Sequence, residues 1–528
     1  MATDTLSVPA QPPGPPGPAP DLRSGYTASN ATRLLCAGTY LDPVYRATVI
    51  RELLTHRFRV VAPSYGYDAV PVLAHALAAR RLHRARLVVL AAGLLLTFLL
   101  TRAGVLNVVT ASLTEVWLVW VTAYLRRVIT LQTLMTRLRR RTGPGDRTSG
   151  FDGSRPEHRR LTAELVAKIN QEQASDGTLI RYGGYKPFVG AGTQVRSWST
   201  ALLLVGAPLP EVEHRRHGPG APTPPEATRQ EPERKEVIPF TVGDITDYVA
   251  DRMNAELRDR ARPSERIDGL AVERSTFTTS VTTRLGVWEP SPGEHDGHWE
   301  DSYHSKRTYL CVRVGSWSQE LVTTTFAGFD LKGNTLHTEF YSYVLAPVHA
   351  SFHLVDRLPA ALNVRLLLRV AWHTLRSTPE ATLRPVLAQL RSWLPNLLPW
   401  RWNKTRIWVL QPRDTSEFRL GRYADTTLNR GALASIRELA TADDFHVFFQ
   451  RTDMIKYTQI VERQLLQFTR EFLHKHNVDL ADHQARQTKI LNDYGSNNNF
   501  VDRNYGNVNS GTQNYQRGSG GSQGEGSS

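Results

Sequence analysis

"LVVLAAGLLLTFLLTRAGVLNVVTASLTEVWLVWVTAYLRR", from Leu87 to Arg127, carries only Arg102 and Glu115 as charges before Arg126. Such a run is about twice the ~20 apolar residues that one membrane-spanning helix needs. It divides into two helices, Leu87 to about Leu100 and about Val105 to Leu125, joined near Arg102, Gly104 and Asn107. The first would be short, ~22 Å at about 1.5 Å per residue, so Arg86 and Arg102 would have to snorkel to lengthen it. Trp117, Trp120 and Tyr124 cluster towards the exit of the second helix, where amphipathic rings favour the headgroup level. Glu115 is costly in lipid and is expected to face its partner helix or Arg102. The competing interpretation is a buried helical hairpin in a soluble domain, because Thr, Ser, Asn and Glu weaken the hydropathy of the second helix.

Charge supports the lipid interpretation. The formal net charge is +14, yet eleven arginines and a single acid, Glu115, lie between Arg80 and Arg141, so most of the basicity flanks the apolar run. A phosphate-binding surface for nucleic acid would spread its charge more widely, and no specific nucleic acid is expected as a partner. Arginines on both flanks place both termini in the cytoplasm by the positive-inside rule. The expected site is thus a bacterial inner membrane crossed more than once. Fifty-five of the 64 basic residues are arginine, a bias that fits a GC-rich, actinobacterial genome. Cys36 and Cys311 stand far apart, offering neither a disulfide framework nor paired metal ligands, which suits a reducing compartment.

Outward from the hairpin, residues 1–30 are Pro/Gly-rich and expected to be disordered. Residues 31–142 form a helical membrane region with the hairpin at about 87–125, and 143–160 a linker. Residues 161–213 make a small Gly-containing segment, and 214–236 a Pro-rich, charged linker. An α+β domain is expected over 237–450. Its helix carries Val242, Ile245, Val249, Met253 and Leu257 at helical spacing. Alternating or β-branched runs beginning at Leu270, Arg307, Glu320 and Thr335 predict an antiparallel sheet of at least four strands, with "DLKGNTL" as a turn. From Ala361 the chain turns helical again and enters a stretch bearing Trp400, Trp402 and Trp408.

No catalytic signature is present. "RYGGYKPFVGAG", Arg181–Gly192, lacks both the Walker lysine and the G-x-G-x-x-G spacing, so its glycines are read as a tight turn with Phe188 and Trp198 as packing anchors. These twelve residues resemble a short signature of uncharacterised large membrane proteins of actinomycetes, and the resemblance names no activity. Cys311, inside an alternating strand, reads as a core thiol. "EHDGHWEDSYH", Glu294–His304, gathers His295, Asp296, His298 and His304 with further acids, the ligand types zinc takes. The spacing matches no metal motif, and a solvated loop collects the same residues. These four are the candidate ligands of an alternative interpretation, a membrane-bound, metal-dependent hydrolase. The leading one is a membrane-anchored scaffold or signalling protein without evident catalysis.

Residues 451–491 predict an amphipathic helix with Met454, Val461, Leu465, Phe468 and Phe472 in one stripe, packed on its own domain or offered to a partner. Residues 492–528 follow, with eight asparagines between Asn492 and Tyr515. This tail resembles the Asn/Gly-rich self-assembly tails of bacterial signalling proteins, which implies self-association through amide ladders. A plain solvated tail is the competing interpretation.

Overall fold

The structure is a computed structural model that describes residues 26–56, 59–140, 151–174, 179–209, 234–282, 306–359, 362–377, 409–410, 427–481, 483–485, 487–488 and 490. The tail, the Trp400–Trp408 stretch and the Glu294–His304 loop lie outside the described residues.

The fold is α+β, centred on a six-stranded sheet in the order β1 (Leu179–Tyr182), β3 (Leu270–Thr279), β5 (Arg307–Ser316), β6 (Leu321–Lys332), β7 (Thr335–Leu345), β2 (Thr193–Leu203). The four expected strands form its middle, β3-β5-β6-β7, all antiparallel. The sheet as a whole is mixed, because β1 joins β3 in parallel while β2 pairs antiparallel with β7. Both edges thus come from the segment expected to stand apart as residues 161–213. The β6–β7 turn is the "DLKGNTL" hairpin, with Gly333 and Asn334 both at φ +56°. A two-residue loop with both residues at positive φ matches the right-handed twist of its strands, which is why Asn and Gly serve there.

Alternation along the strands divides the sheet into two buried faces. Leu310, Val312, Val314, Ala327, Phe329, Leu336 and Phe340 meet α6 (Val242–Asn254) and α7 (Phe448–Lys475). Helix α6 starts at a capping box in which Thr241 and Asp244 satisfy each other's backbone N–H groups, and it buries Ile245, Val249 and Met253. The α7 stripe, Met454, Val461, Leu465, Phe468 and Phe472, is buried on this same sheet. Of the two uses open to that stripe, the chain's own core has taken it. A small second sheet runs β4 (Val281–Thr282), β9 (Thr427–Asn429), β8 (Val409–Leu410).

The N-terminal helices build a second core. Helices α1 (Asn30–Leu41), α2 (Pro43–Ile50), the first part of α3 (Ala69–Arg102), the end of α4 (Val108–Arg137) and α5 (Ala163–Glu172) enclose Leu34, Leu35, Val49, Leu73, Leu77, Leu134 and Ile169. Val348, Phe352, Val355, Ile436 and Ala440 join them from the sheet side. The helical region is therefore continuous with the sheet domain, fastened by polar contacts as well: Arg33, buried, forms an ion pair with Asp356 at 2.7 Å, and the Asn30 amide donates to Glu320.

Candidate functional site

Helices α3 and α4 leave this core as a pair. Both are longer than hydropathy suggested: α3 runs unbroken from Ala69, so the first span need not be short. Its lower half is covered by protein and its upper half is not, and only the upper half reads as lipid-soluble in sequence. Just 6% of the most apolar 18 residues of α3, and 17% of those of α4, are buried. Val88, Leu95, Phe98, Val108, Leu113, Val116 and Trp117 all point outward, between 59% and 74% exposed. The two helices meet through small residues, with Gly93 facing Leu118 so closely that a Cβ there would force the leucine aside. The expectation for Glu115 is corrected. It is exposed and in no ion pair among the described residues, because a hairpin of only two helices leaves its flanks uncovered.

Trp120 and Tyr124 stack at 5.5 Å, and the Trp120 indole N–H donates to the Ala371 carbonyl at 3.4 Å. Arg127 donates to Thr374 Oγ at 3.0 Å and to Ser377 Oγ at 2.7 Å. These contacts hold a helical stretch, residues 364–377, against α4 between the levels of Trp120 and Arg127. Thr374 is buried in that contact, whereas Val364, Leu368, Trp372 and Leu375, at steps of four, four and three, remain exposed. Such a stripe belongs to one helical face. It extends the outward apolar surface at the arginine end of the hairpin.

The other face of the sheet holds the glycine-containing stretch. Phe188 stacks on Phe326 at 4.1 Å and meets Phe277, Tyr309, Tyr341 and Tyr343 at 5.1–5.4 Å. Gly190 and Gly192 adopt φ +92° and +94°, and at Gly192 the Val344 carbonyl leaves no space for a Cβ. Glycine is thus required there. The two freed N–H groups donate to Glu438 Oε1 at 2.8 and 3.0 Å, and Ser435 N–H donates to Oε2 at 2.9 Å. Burial raises the Glu438 carboxyl above its ordinary range, and the three N–H groups hold it back. The glycines hold a carboxylate of the chain itself.

Trp198, the second expected anchor, stacks on Phe340 at 5.1 Å and donates to Glu462 Oε1 at 2.6 Å, where Arg196 also binds at 2.9 Å. Arg313, itself buried, pairs with Glu273 at 2.7 Å. The fully buried Arg437 donates to the carbonyls of Gln319, Glu320 and Ala346. Burial pulls its guanidinium down to about 10. Each of these charges closes a seam between segments distant in sequence. Cys311 is a core thiol as expected, pushed up to about 12 by burial.

His295, Asp296, His298 and His304 all fall outside the described residues, so the structure neither gathers nor separates them. Among the described residues no group of three or more His, Cys, Asp and Glu could hold a metal ion. Sequence reasoning missed an open basic groove of about 840 Å³ between α6 and α7, lined by Arg252, Arg463, Arg470, His474 and Lys475. Its Glu471 is already engaged by Arg252 at 2.9 Å. Arg463, Arg470 and His474 follow helical spacing on α7, and that periodicity was the available signal.

The AbeC-like domain family matches residues 197–512. The chain belongs to that family. The AbeC-like region runs from within β2 through α7, so it contains five strands of the central sheet and both helices that cover one face. It leaves out β1, Phe188 and the hairpin, although β1 and Phe188 complete the sheet on which the region is built. No curated protein and no solved structure matches the chain.

Proposed function

We propose that this protein is anchored in a bacterial inner membrane by the α3–α4 hairpin, with the residues before Arg80 and after Arg141 together on the cytoplasmic side. In this reading the AbeC-like region is an interaction module held at that surface, and the protein acts as a scaffold or signalling component. The observation that carries the reading is the outward apolar surface of the hairpin, 53–74% exposed at residues such as Leu99 and Val108, ending at Arg84, Arg86, Arg126 and Arg127. Isolated exposed apolar side chains are ordinary, but a contiguous surface of this kind marks an interaction with lipid or protein. Two helices joined by Ala103–Asn107 and bounded by arginine fit lipid. The exposed stripe of residues 364–377 adds an interfacial element at the headgroup level.

The basic groove beside α7 offers the module a surface for an acidic partner. Val447, Phe448 and Phe449, exposed at the start of α7, together with the Asn-rich tail, are the proposed means of self-association. Fractionation of cells expressing the full chain tests the anchor. After an alkaline carbonate wash the protein is expected in the membrane pellet, released only by detergent. Recovery in the wash supernatant would remove the hairpin from the bilayer.

A further inference from the structure

At the foot of the hairpin, Arg80, Arg81 and Arg84 of α3 and His158 and Arg160 of the turn before α5 surround a cavity of about 270 Å³. The arginines of α3 share one helical face by their steps of three and four. Helix α5 packs against α3, which carries its leading turn over that face. Within the turn the backbone N–H of Arg160 donates to His158 Nδ1 at 3.1 Å, so the neutral ring would carry its proton on Nε2. Thr162 accepts the Leu165 N–H and starts α5.

Among the described residues no carboxylate lines this cavity, and none of its arginines has an ion-pair partner there. The crowding is felt. The Arg80 guanidinium lies below its ordinary value through burial and through Arg84 and Arg160. His158 is lowered by burial, Arg160, Arg81 and Arg84. An assembly of like charges without a counter-charge is stabilised by an anion. Guanidinium groups suit phosphate in particular, because they donate paired N–H groups in a fixed plane.

Position narrows the ligand. Val88 also lines the cavity and is 67% exposed, as the first of the outward apolar residues of α3. The phosphate position and the lipid-facing surface therefore adjoin. We propose that this cavity binds the phosphate of an anionic phospholipid headgroup from the leaflet at the arginine end of the hairpin. The site deepens the membrane reading and rests on it. It would fix the depth of the hairpin and tie α5 to the bilayer surface.

The test uses the full chain reconstituted into phosphatidylcholine bilayers with and without phosphatidylglycerol, with bound lipid counted by mass spectrometry after detergent extraction. Wild type is expected to retain phosphatidylglycerol. Arg84→Gln with Arg160→Gln, both exposed positions, should weaken that retention about tenfold or more, since each arginine supplies charge-assisted N–H donors to the phosphate. Arg81→Gln with Arg160→Gln is the second variant should the first misfold. Arg369→Gln with Arg376→Gln removes equal charge outside the cavity and should retain lipid like wild type. Equal retention by the cavity variants and the control overturns the proposal. So does displacement of the lipid by millimolar inorganic phosphate, which would assign the cavity to free phosphate. Loss of the protein from carbonate-washed membranes would instead strike the membrane reading, a separate readout.

Discussion

Phe188→Ala is expected to destabilise the sheet domain by about 3–5 kcal/mol, the usual cost of deleting a fully packed aromatic ring. Phe188 is 4% exposed and touches rings from β3, β5, β6 and β7, so no single neighbour can move into the space it vacates. The loop above cannot collapse either, because Gly190 and Gly192 are held by Glu438 and by the backbone at Val344. Denaturant unfolding of the detergent-solubilised chain, followed by tryptophan fluorescence, reads the effect. Tyr185→Ala, three residues earlier and 99% exposed, should stay within about 0.5 kcal/mol of wild type. A Phe188→Ala loss below about 1 kcal/mol would mean that the aromatic cluster does not hold the loop to the sheet.

Charges placed on the hairpin should have an effect as large and of the opposite sign to what water would give. Leu95 and Val116 sit near the middle of the uncovered parts of α3 and α4, 60% and 68% exposed. In lipid, Leu95→Arg and Val116→Arg each cost about 2.5–3.5 kcal/mol of insertion free energy, and the double variant should lose membrane association or be degraded. In water the same substitutions replace exposed apolar surface with charge, which is neutral or favourable for solubility. The readout is the fraction of protein retained after carbonate washing. Unchanged retention of the double variant would contradict insertion.

The middle of the sheet was legible because its strands are runs of ten to twelve β-branched, aromatic or alternating residues, and because Gly333-Asn334 marks its turn. Its edges were not. β1 is four residues long and pairs in parallel with a strand nearly a hundred positions away, a pairing that no local pattern encodes. The hairpin was legible where lipid-like residues are exposed, and α3 was cut short where protein covers it. The α7 stripe announced a buried face without saying whose. Glu438, Glu462, Arg313 and Arg437 were opaque for a different reason. A buried ionisable group is distinguished from a surface one only by partners that the fold supplies, and those partners come from segments far away in sequence. The arginines of α3 were visible as a flank of the apolar run. Nothing local joined them to His158 and Arg160, which the sequence places in or beside a linker.

In the proposed topology the tip between α3 and α4 lies on the opposite side of the membrane from α5. Cys36 and Cys311 are both buried, so single cysteines introduced elsewhere can be read against a low background with a membrane-impermeant maleimide. Ala103→Cys, at the tip between α3 and α4, is expected to label in intact cells. Glu164→Cys, on the exposed side of α5, should label only after the membrane is permeabilised. Labelling of both positions in intact cells, or of Glu164→Cys alone, would contradict the account.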